Sequence, residues 1–256
     1  MAGPPRLSDL LGGTRATYVA RVILAVLLFA TPASAQSFAS LFTSLPADFK
    51  NVFTPANGIV AAVGGGGSLI VHPHDRDIQP HISEPSGARH DVFHPGAAIG
   101  DGFEQAAFAL GTYIVGRASH HAGLGAVGAD LIDAQIVNGA LTQGIKVSVD
   151  RSRPTGGRHS FPSGHTSATF ATAQVIEAHY GWKVATPFYA LGGYVSVSRL
   201  VDNQHWTSDV IFAAALGIVS GRAASLGRGS HRVSISPAML PGGFAILGRL
   251  KPAPTY

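Results

Sequence analysis

The chain has 256 residues, 46% of them hydrophobic, with a formal net charge of +4 and no cysteine. It carries no basic tract of the kind that follows a phosphodiester backbone, which argues against a nucleic-acid partner. Without cysteine it needs no oxidative folding, which suits a protein exported by a bacterium.

An export signal comes first in chain order. Arg15 and Arg21 precede the apolar run from Val22 to Ala30, and Ala33-Ser34-Ala35 closes the segment in the A-x-A pattern. A basic lead, a short apolar core and a small-residue site read as a cleavable signal over residues 1–35. An uncleaved membrane anchor is the alternative, disfavoured because the apolar core is short for a span. Residues 36–256 are enough for a single domain with its own core, placed in the periplasm or outside the cell.

Residues 36–56, with Pro46 and Pro55, read as an irregular lead-in with short helical turns. Residues 57–71 are apolar but contain Gly64-Gly-Gly-Gly67. Each glycine costs a helix about 1 kcal/mol relative to alanine. The helix therefore breaks there, or another backbone packs closely against it. Residues 72–101 hold His72, His74, His81, His90 and His94 among prolines, with Asp75 and Asp77. They read as a polar loop, able to rim an active site. His72-Pro-His74 is the one close pair and its spacing matches no standard metal site, so no metal is expected.

Helical pattern follows over 102–118 and over 127–147, where Leu131, Ile132, Ile136, Ala140, Leu141 and Ile145 form one stripe. His120-His121 read as a helix-end cap near Gly123. Three more helices are expected over 164–180, 184–198 and 205–224. Alternating segments around Pro241-Gly-Gly243 predict a small β-hairpin over 231–251. The expected fold is an all-α helical bundle with its core at 57–224 and that hairpin at the C-terminus. The apolar runs 166–176 and 210–221 are short and bounded by Glu177, His179, Lys183 and Arg222, so a soluble bundle is expected rather than membrane spans.

Three stretches carry the chemistry: Lys146 to Arg153-Pro154, Pro162-Ser163-Gly164-His165, and Ser198-Arg199 followed by His205 and Asp209. Arg153 precedes a proline, which favours extended backbone and ends the preceding helix. Arg199 lies in an otherwise apolar run and so wants an anionic partner. Arginine offers a planar fork to two oxygens and lysine a mobile point charge. Ser163 suits a helix N-cap, and the N–H groups at that helix start, opened by Gly164, can cradle an anion. His165 stands at the mouth of that cradle as a proton donor. His205 and Asp209, four apart, share a helical face, so the carboxylate can hold one ring nitrogen and leave the other free. Trp206 reads as packing.

Lys-x6-Arg-Pro, Pro-Ser-Gly-His and Ser-Arg-x5-His-x3-Asp, in that order, resemble the signature of the type-2 phosphatidic-acid phosphatase superfamily. That superfamily includes bacterial non-specific acid phosphatases, lipid-phosphate phosphatases and vanadium-dependent haloperoxidases. The resemblance implies that His205 attacks phosphorus and carries a transient phosphohistidine. It implies that Asp209 supports His205 and that His165 protonates the leaving alcohol. Lys146, Arg153, Ser163, Gly164 and Arg199 then hold the phosphate oxygens, with no metal or other cofactor.

The leading expectation is an exported, metal-independent phosphatase acting on phosphate monoesters of small molecules. A lipid-phosphate or lipid-pyrophosphate phosphatase at the membrane face is the alternative, with peripheral membrane contact. A vanadate-dependent haloperoxidase ranks lower, because relatives of that kind are longer. A non-catalytic phosphate-binding relic ranks lowest, since every signature position is filled.

Overall fold

The computed structural model describes residues 42–226, 232–240 and 243–251; for the last two segments only the backbone is considered. The export signal expected over 1–35 lies outside the described residues. The helices are α1 (Leu45–Asn51), α2 (Pro55–Val71), α3 (Asp75–Ile82), α4 (Ala88–Phe93), α5 (Pro95–Ile99), α6 (Gly102–Ala118), α7 (Ala122–Val149), α8 (Gly164–Tyr180), α9 (Trp182–Val201) and α10 (Thr207–Ser225). A 3₁₀ turn, His72–His74, joins α2 to α3. The backbone of β1 (Arg232–Leu240) pairs antiparallel with β2 (Gly243–Lys251).

The long helices form a bundle with α10 at its centre, packed against α8, α2 and α7. Helix α8 also lies against α9, and α6 against α7. Leu131, Ala134, Ala171, Val175 and Ala224 sit in one buried cluster, with Ile132, Phe188 and Tyr189 packed on it. Small residues let these backbones approach. A Cβ on Gly217 of α10 would lie 2.2 Å from the Ser167 carbonyl of α8.

The glycine run resolves in favour of close packing. Helix α2 is continuous, and a Cβ on Gly64 would lie 2.1 Å from the Ala215 Cβ of α10. Gly65 and Gly66 face open space.

The segment expected as a loop over 72–101 is instead largely helical, as α3, α4 and α5. These helices are too short to show a 3.6-residue period. Their prolines also misled the reading: Pro95 occupies the first turn of α5, where its missing N–H costs nothing. Pro80 stands inside α3, two residues from its end.

Among the described residues, α10 alone is a single helix long and apolar enough to cross a membrane, and 67% of its apolar window is buried in the bundle. The bent pair of α1 with the helical stretch Pro55–Ile82 passes the same test.

Candidate active site

Three helix ends and the loop between two of them converge. Helix α7 delivers Lys146 in its last turn and ends at Asp150, which takes the left-handed conformation at φ 46°. The loop 151–163 folds on itself through Ser160 N–H to Arg151 O, 2.8 Å, and Arg153 N–H to Gly157 O, 2.6 Å. Ser163 then N-caps α8, its hydroxyl oxygen accepting from Thr166 N–H at 3.4 Å. Its own O–H remains able to donate. The N–H groups of Gly164 and His165 belong to the first turn of α8, where no intrahelical acceptor exists. A Cβ on Gly164 would lie 4.0 Å from Lys146 Cε, so the lysine stem runs beside the helix start.

Lys146 is buried and donates from Nζ to the His159 carbonyl at 2.8 Å. Burial and the Arg153 charge pull its pKa down to about 8, with Asp209 opposing. Arg153 donates from Nη1 to Gln204 Oε1 at 2.9 Å and from Nε to the Arg158 carbonyl at 3.1 Å. Every one of these acceptors is neutral. Among the described residues, neither Lys146 nor Arg153 has a carboxylate within ion-pair distance. Arg199, at the end of α9, is buried; its Nη2 meets Asp202 Oδ2 at 3.0 Å, and its Nε is buried with no hydrogen-bond partner among the described residues.

Both histidines sense this positive field. Burial, then the charges of Arg199, His205 and Lys146, hold His165 down to about 4 against the opposing pull of Asp101. Its Nε2 lies 3.9 Å from Asp101 Oδ2. Burial also brings His205 to about 4, with Lys146 and Arg153 adding to it and Asp209 opposing.

The expected His205–Asp209 pair is present but built differently. Helix α10 begins at Thr207 with Trp206 as N-cap, so His205 stands on the preceding turn and not on a shared helical face. Asp209 Oδ2 turns back to accept the Trp206 N–H at 2.9 Å and lies 3.6 Å from His205 Nδ1. That is an ion-pair contact longer than a hydrogen bond, and it leaves Nε2 facing away from the carboxylate.

Asp209 itself sits in a network missed by the sequence reading. Its Oδ2 also accepts from the Ser160 hydroxyl, and its Oδ1 from Arg151 Nη1 at 2.6 Å. Burial pushes the carboxyl up, but His205, Ser160, the Trp206 N–H and the Arg151 charge together hold it below the usual carboxylate range. The other arm of Arg151, Nη2, meets Asp75 Oδ2 at 2.7 Å. Asp75 accepts in turn from Ser208 N–H at 3.0 Å and Ser208 Oγ at 2.5 Å. Trp206 packs against the Arg151 guanidinium at 5.5 Å and donates to the Ser152 carbonyl at 2.8 Å. His121 caps the start of α7, accepting from Leu124 N–H at 3.1 Å. No sequence pattern marked Asp101, Ser160 or Asp202; Asp75 stood among the polar residues of 72–101 with no link to Arg151, and Arg151 lay within Lys-x6-Arg-Pro at an unspecified position.

The helical bundle thus gathers two histidines, three cations and a helix N-terminus close together. Residues 128–229 match the PAP2 superfamily. A lipid A 1-phosphatase from Porphyromonas gingivalis is 39% identical over 98 residues, covering 36% of this chain and 21% of that protein. A PA-phosphatase related-family protein from Dictyostelium discoideum is 31% identical over 145 residues, covering 44% of this chain and 51% of that one. The matched parts thus span about a fifth and about half of these relatives. The crystal structure of Aquifex aeolicus LpxE superimposes with a TM-score of 0.50 at 19% identity, covering 59% of this chain and 93% of that one. It supports the helical fold; the C-terminal hairpin draws no support from it.

Proposed function

We propose that the chain is a phosphatase that hydrolyses phosphate monoesters of lipids at a membrane face, through a phosphohistidine formed on His205. One observation carries the chemistry. Among the described residues, Lys146 and Arg153 are held against neutral acceptors only, beside a buried Arg199 with an unpartnered Nε. A pocket with unspent positive charge attracts a phosphate dianion.

In this reading Lys146, Arg153 and Arg199 bind the phosphate oxygens, with the Ser163 hydroxyl and the Gly164 N–H. They also stabilise the charge that develops in the transition state. His205 is neutral at pH 7, so Nε2 has a lone pair for phosphorus. Asp209 stabilises the positive ring once the bond forms. The charge of a bound phosphate dianion favours the protonated form of His165, which then supplies the proton that the leaving alcohol takes up, and afterwards accepts one from the attacking water. The reading needs no metal at phosphorus.

The sequence alone put a small soluble ester first. Two observations favour a lipid. One matched relative is named for lipid A. In addition, α2 carries no charged residue and leaves Ile59, Val63, Leu69 and Ile70 between 52% and 75% exposed. That apolar face suits contact with a bilayer. Next to it, Phe53, Leu141, Phe212, Leu216 and Val219 line an apolar cleft of about 330 Å³. Phe212 stacks on Phe161, two residues from Ser163, with ring centroids 4.7 Å apart. Residues 1–35 complete the proposal as a processed export signal.

The test is phosphate release by the protein from phosphatidic acid in mixed micelles and from a small aryl phosphate, in EDTA, beside His205→Ala. Preferential release from the lipid, lost in the variant, supports the proposal. Turnover of the aryl phosphate alone would restore the small-ester reading, and release that persists in His205→Ala would overturn the phosphohistidine.

A further inference from the structure

Outside the phosphate pocket, α4 and the end of α9 bring three metal-competent donors to one point. His90 Nε2 and His94 Nδ1 each lie 3.8 Å from Asp202 Oδ1. All three atoms fall within 4.8 Å of one another. His90 lies in α4 and His94 is its C-cap, so the two share one side of that helix. Their ring centroids are 4.6 Å apart, with the planes tilted by 31°.

The carboxylate is the informative member. The Asp202 side chain is only 10% exposed. Its Oδ2 is taken by Arg199 Nη2, whereas its Oδ1 is buried with no hydrogen-bond partner among the described residues. A buried carboxylate oxygen left without a donor is costly, and a cation shared with two imidazoles would satisfy it. His90 supplies a further sign. While Nε2 faces Asp202, its Nδ1 lies 3.5 Å from Asp91 Oδ1. An outer carboxylate on the second ring nitrogen fixes the tautomer of a metal-binding histidine.

The surrounding structure holds α4 in place over Asp202. Tyr194 Oη donates to the Val92 carbonyl at 2.6 Å, and its ring packs on Phe93 at 5.4 Å. Glu84 N–H donates to the Val201 carbonyl at 3.0 Å.

We propose that His90, His94 and Asp202 form a binding site for a divalent transition cation of the zinc class. Two neutral imidazoles and one carboxylate make a three-ligand set that leaves a fourth position to water. Calcium and magnesium prefer oxygen donors and do not suit it. Zinc bonds of about 2.0–2.2 Å need donors roughly 3.3 Å apart, so each nitrogen must move about 0.5 Å toward Oδ1. The His94 side chain, 60% exposed, has room for that movement. Through Asp202 the cation stands one carboxylate away from Arg199, outside the chemistry at phosphorus. The site does not depend on the phosphatase reading.

The test uses the full chain without an affinity tag, stripped by chelator. Zn²⁺ is titrated by calorimetry, and Co²⁺ is followed by its visible absorption. About one equivalent of either ion binds the parent. His94→Ala and His90→Ala each weaken binding by about 10-fold or more. Both also change the cobalt spectrum, while a His72→Ala/His74→Ala double variant leaves both readouts unchanged. His94→Gln, at the same exposed position, gives the same loss should the alanine variant fail to fold. No binding in the parent, unchanged affinity in the His90 and His94 variants, or loss in the double variant would overturn the site.

Discussion

Arg151 offers the sharpest test of how the pocket is built. Its guanidinium meets Asp75 Oδ2 at 2.7 Å, Asp209 Oδ1 at 2.6 Å and Ser208 Oγ at 2.7 Å. The two carboxylates are 1% and 0% exposed, so Arg151→Met strands both. Removing one partner from a buried ion pair costs about 3–5 kcal/mol. Asp75 keeps the Ser208 donors, and Asp209 keeps Ser160 and the Trp206 N–H, which places the expected loss within that range. For a chain of this size the loss lowers Tm by about 6–20 °C. Arg151→Lys keeps one charge but loses the fork, and should lose about 1.5–3 kcal/mol.

The pH dependence supplies an internal check. Asp209 has a folded pKa below its unfolded value. Its contribution is present above the unfolded pKa, about 4, and is lost as pH falls through the folded pKa. The deficit of the Met variant relative to the parent is therefore largest near neutrality and shrinks on acidification, as the stranded Asp209 carboxylate takes up a proton. Circular dichroism melts at pH 7 and at about pH 3, below the unfolded pKa, measure both effects. A Met variant that melts within about 2 °C of the parent at pH 7, or a deficit that grows in acid, would refute the bridging role.

Further expectations follow from the same geometry. His165 and His205 should titrate near pH 4 in NMR pH titrations, and Asp101→Asn should move His165 lower still, because Asp101 is the group that raises it; an upward move would contradict this. Since both imidazoles have folded pKa values below the unfolded value, the unfolded chain binds more protons between about pH 6.5 and 4. Stability should fall as pH drops through that window, by about 3 kcal/mol for buried His205, as read by denaturant unfolding. Lys146 loses its charge above about pH 8, so orthophosphate binding should weaken through pH 8 in the parent and show no such step in Lys146→Ala. Gly64→Ala forces α2 off α10 and should cost about 1–3 kcal/mol, whereas Gly65→Ala, facing open space, should gain up to about 1 kcal/mol. Equal effects at the two glycines would contradict the packing.

The parts of the site legible in the sequence are those where the chemistry confines several required residue types to a short stretch. Ser163, Gly164 and His165 are consecutive, and a helix start fixes their relation. Helices α6 to α10 were legible because each is a long run of mostly apolar and small residues. The short helices α3, α4 and α5 were not, since one or two turns show no period and their prolines look like breaks. The partners of Asp75 and Asp202 were not legible for another reason. Each acts through a partner brought to it by the fold: Asp75 lies 133 residues from Ser208, and Asp202 answers to His90 and His94 from another helix. Nothing local marks such a residue.

Arg151 and Arg153 show the limit most clearly. They stand two residues apart within one motif, and their charge and side chain are identical. In the fold Arg151 is neutralised by two carboxylates, while Arg153 meets only the Gln204 and Arg158 oxygens. A cation already paired with two anions has little attraction left for a third, whereas one held by neutral dipoles keeps its charge available. The division between a cation that builds the pocket and one that serves it therefore lies in their partners. Those partners come from α3 and α10 for Arg151, and from the loop and the turn before His205 for Arg153. The motif alone specified that cations belong there; only the packing of α3 and α10 around the loop decides which of them keeps its charge available, and in the proposed reading that one meets the phosphate.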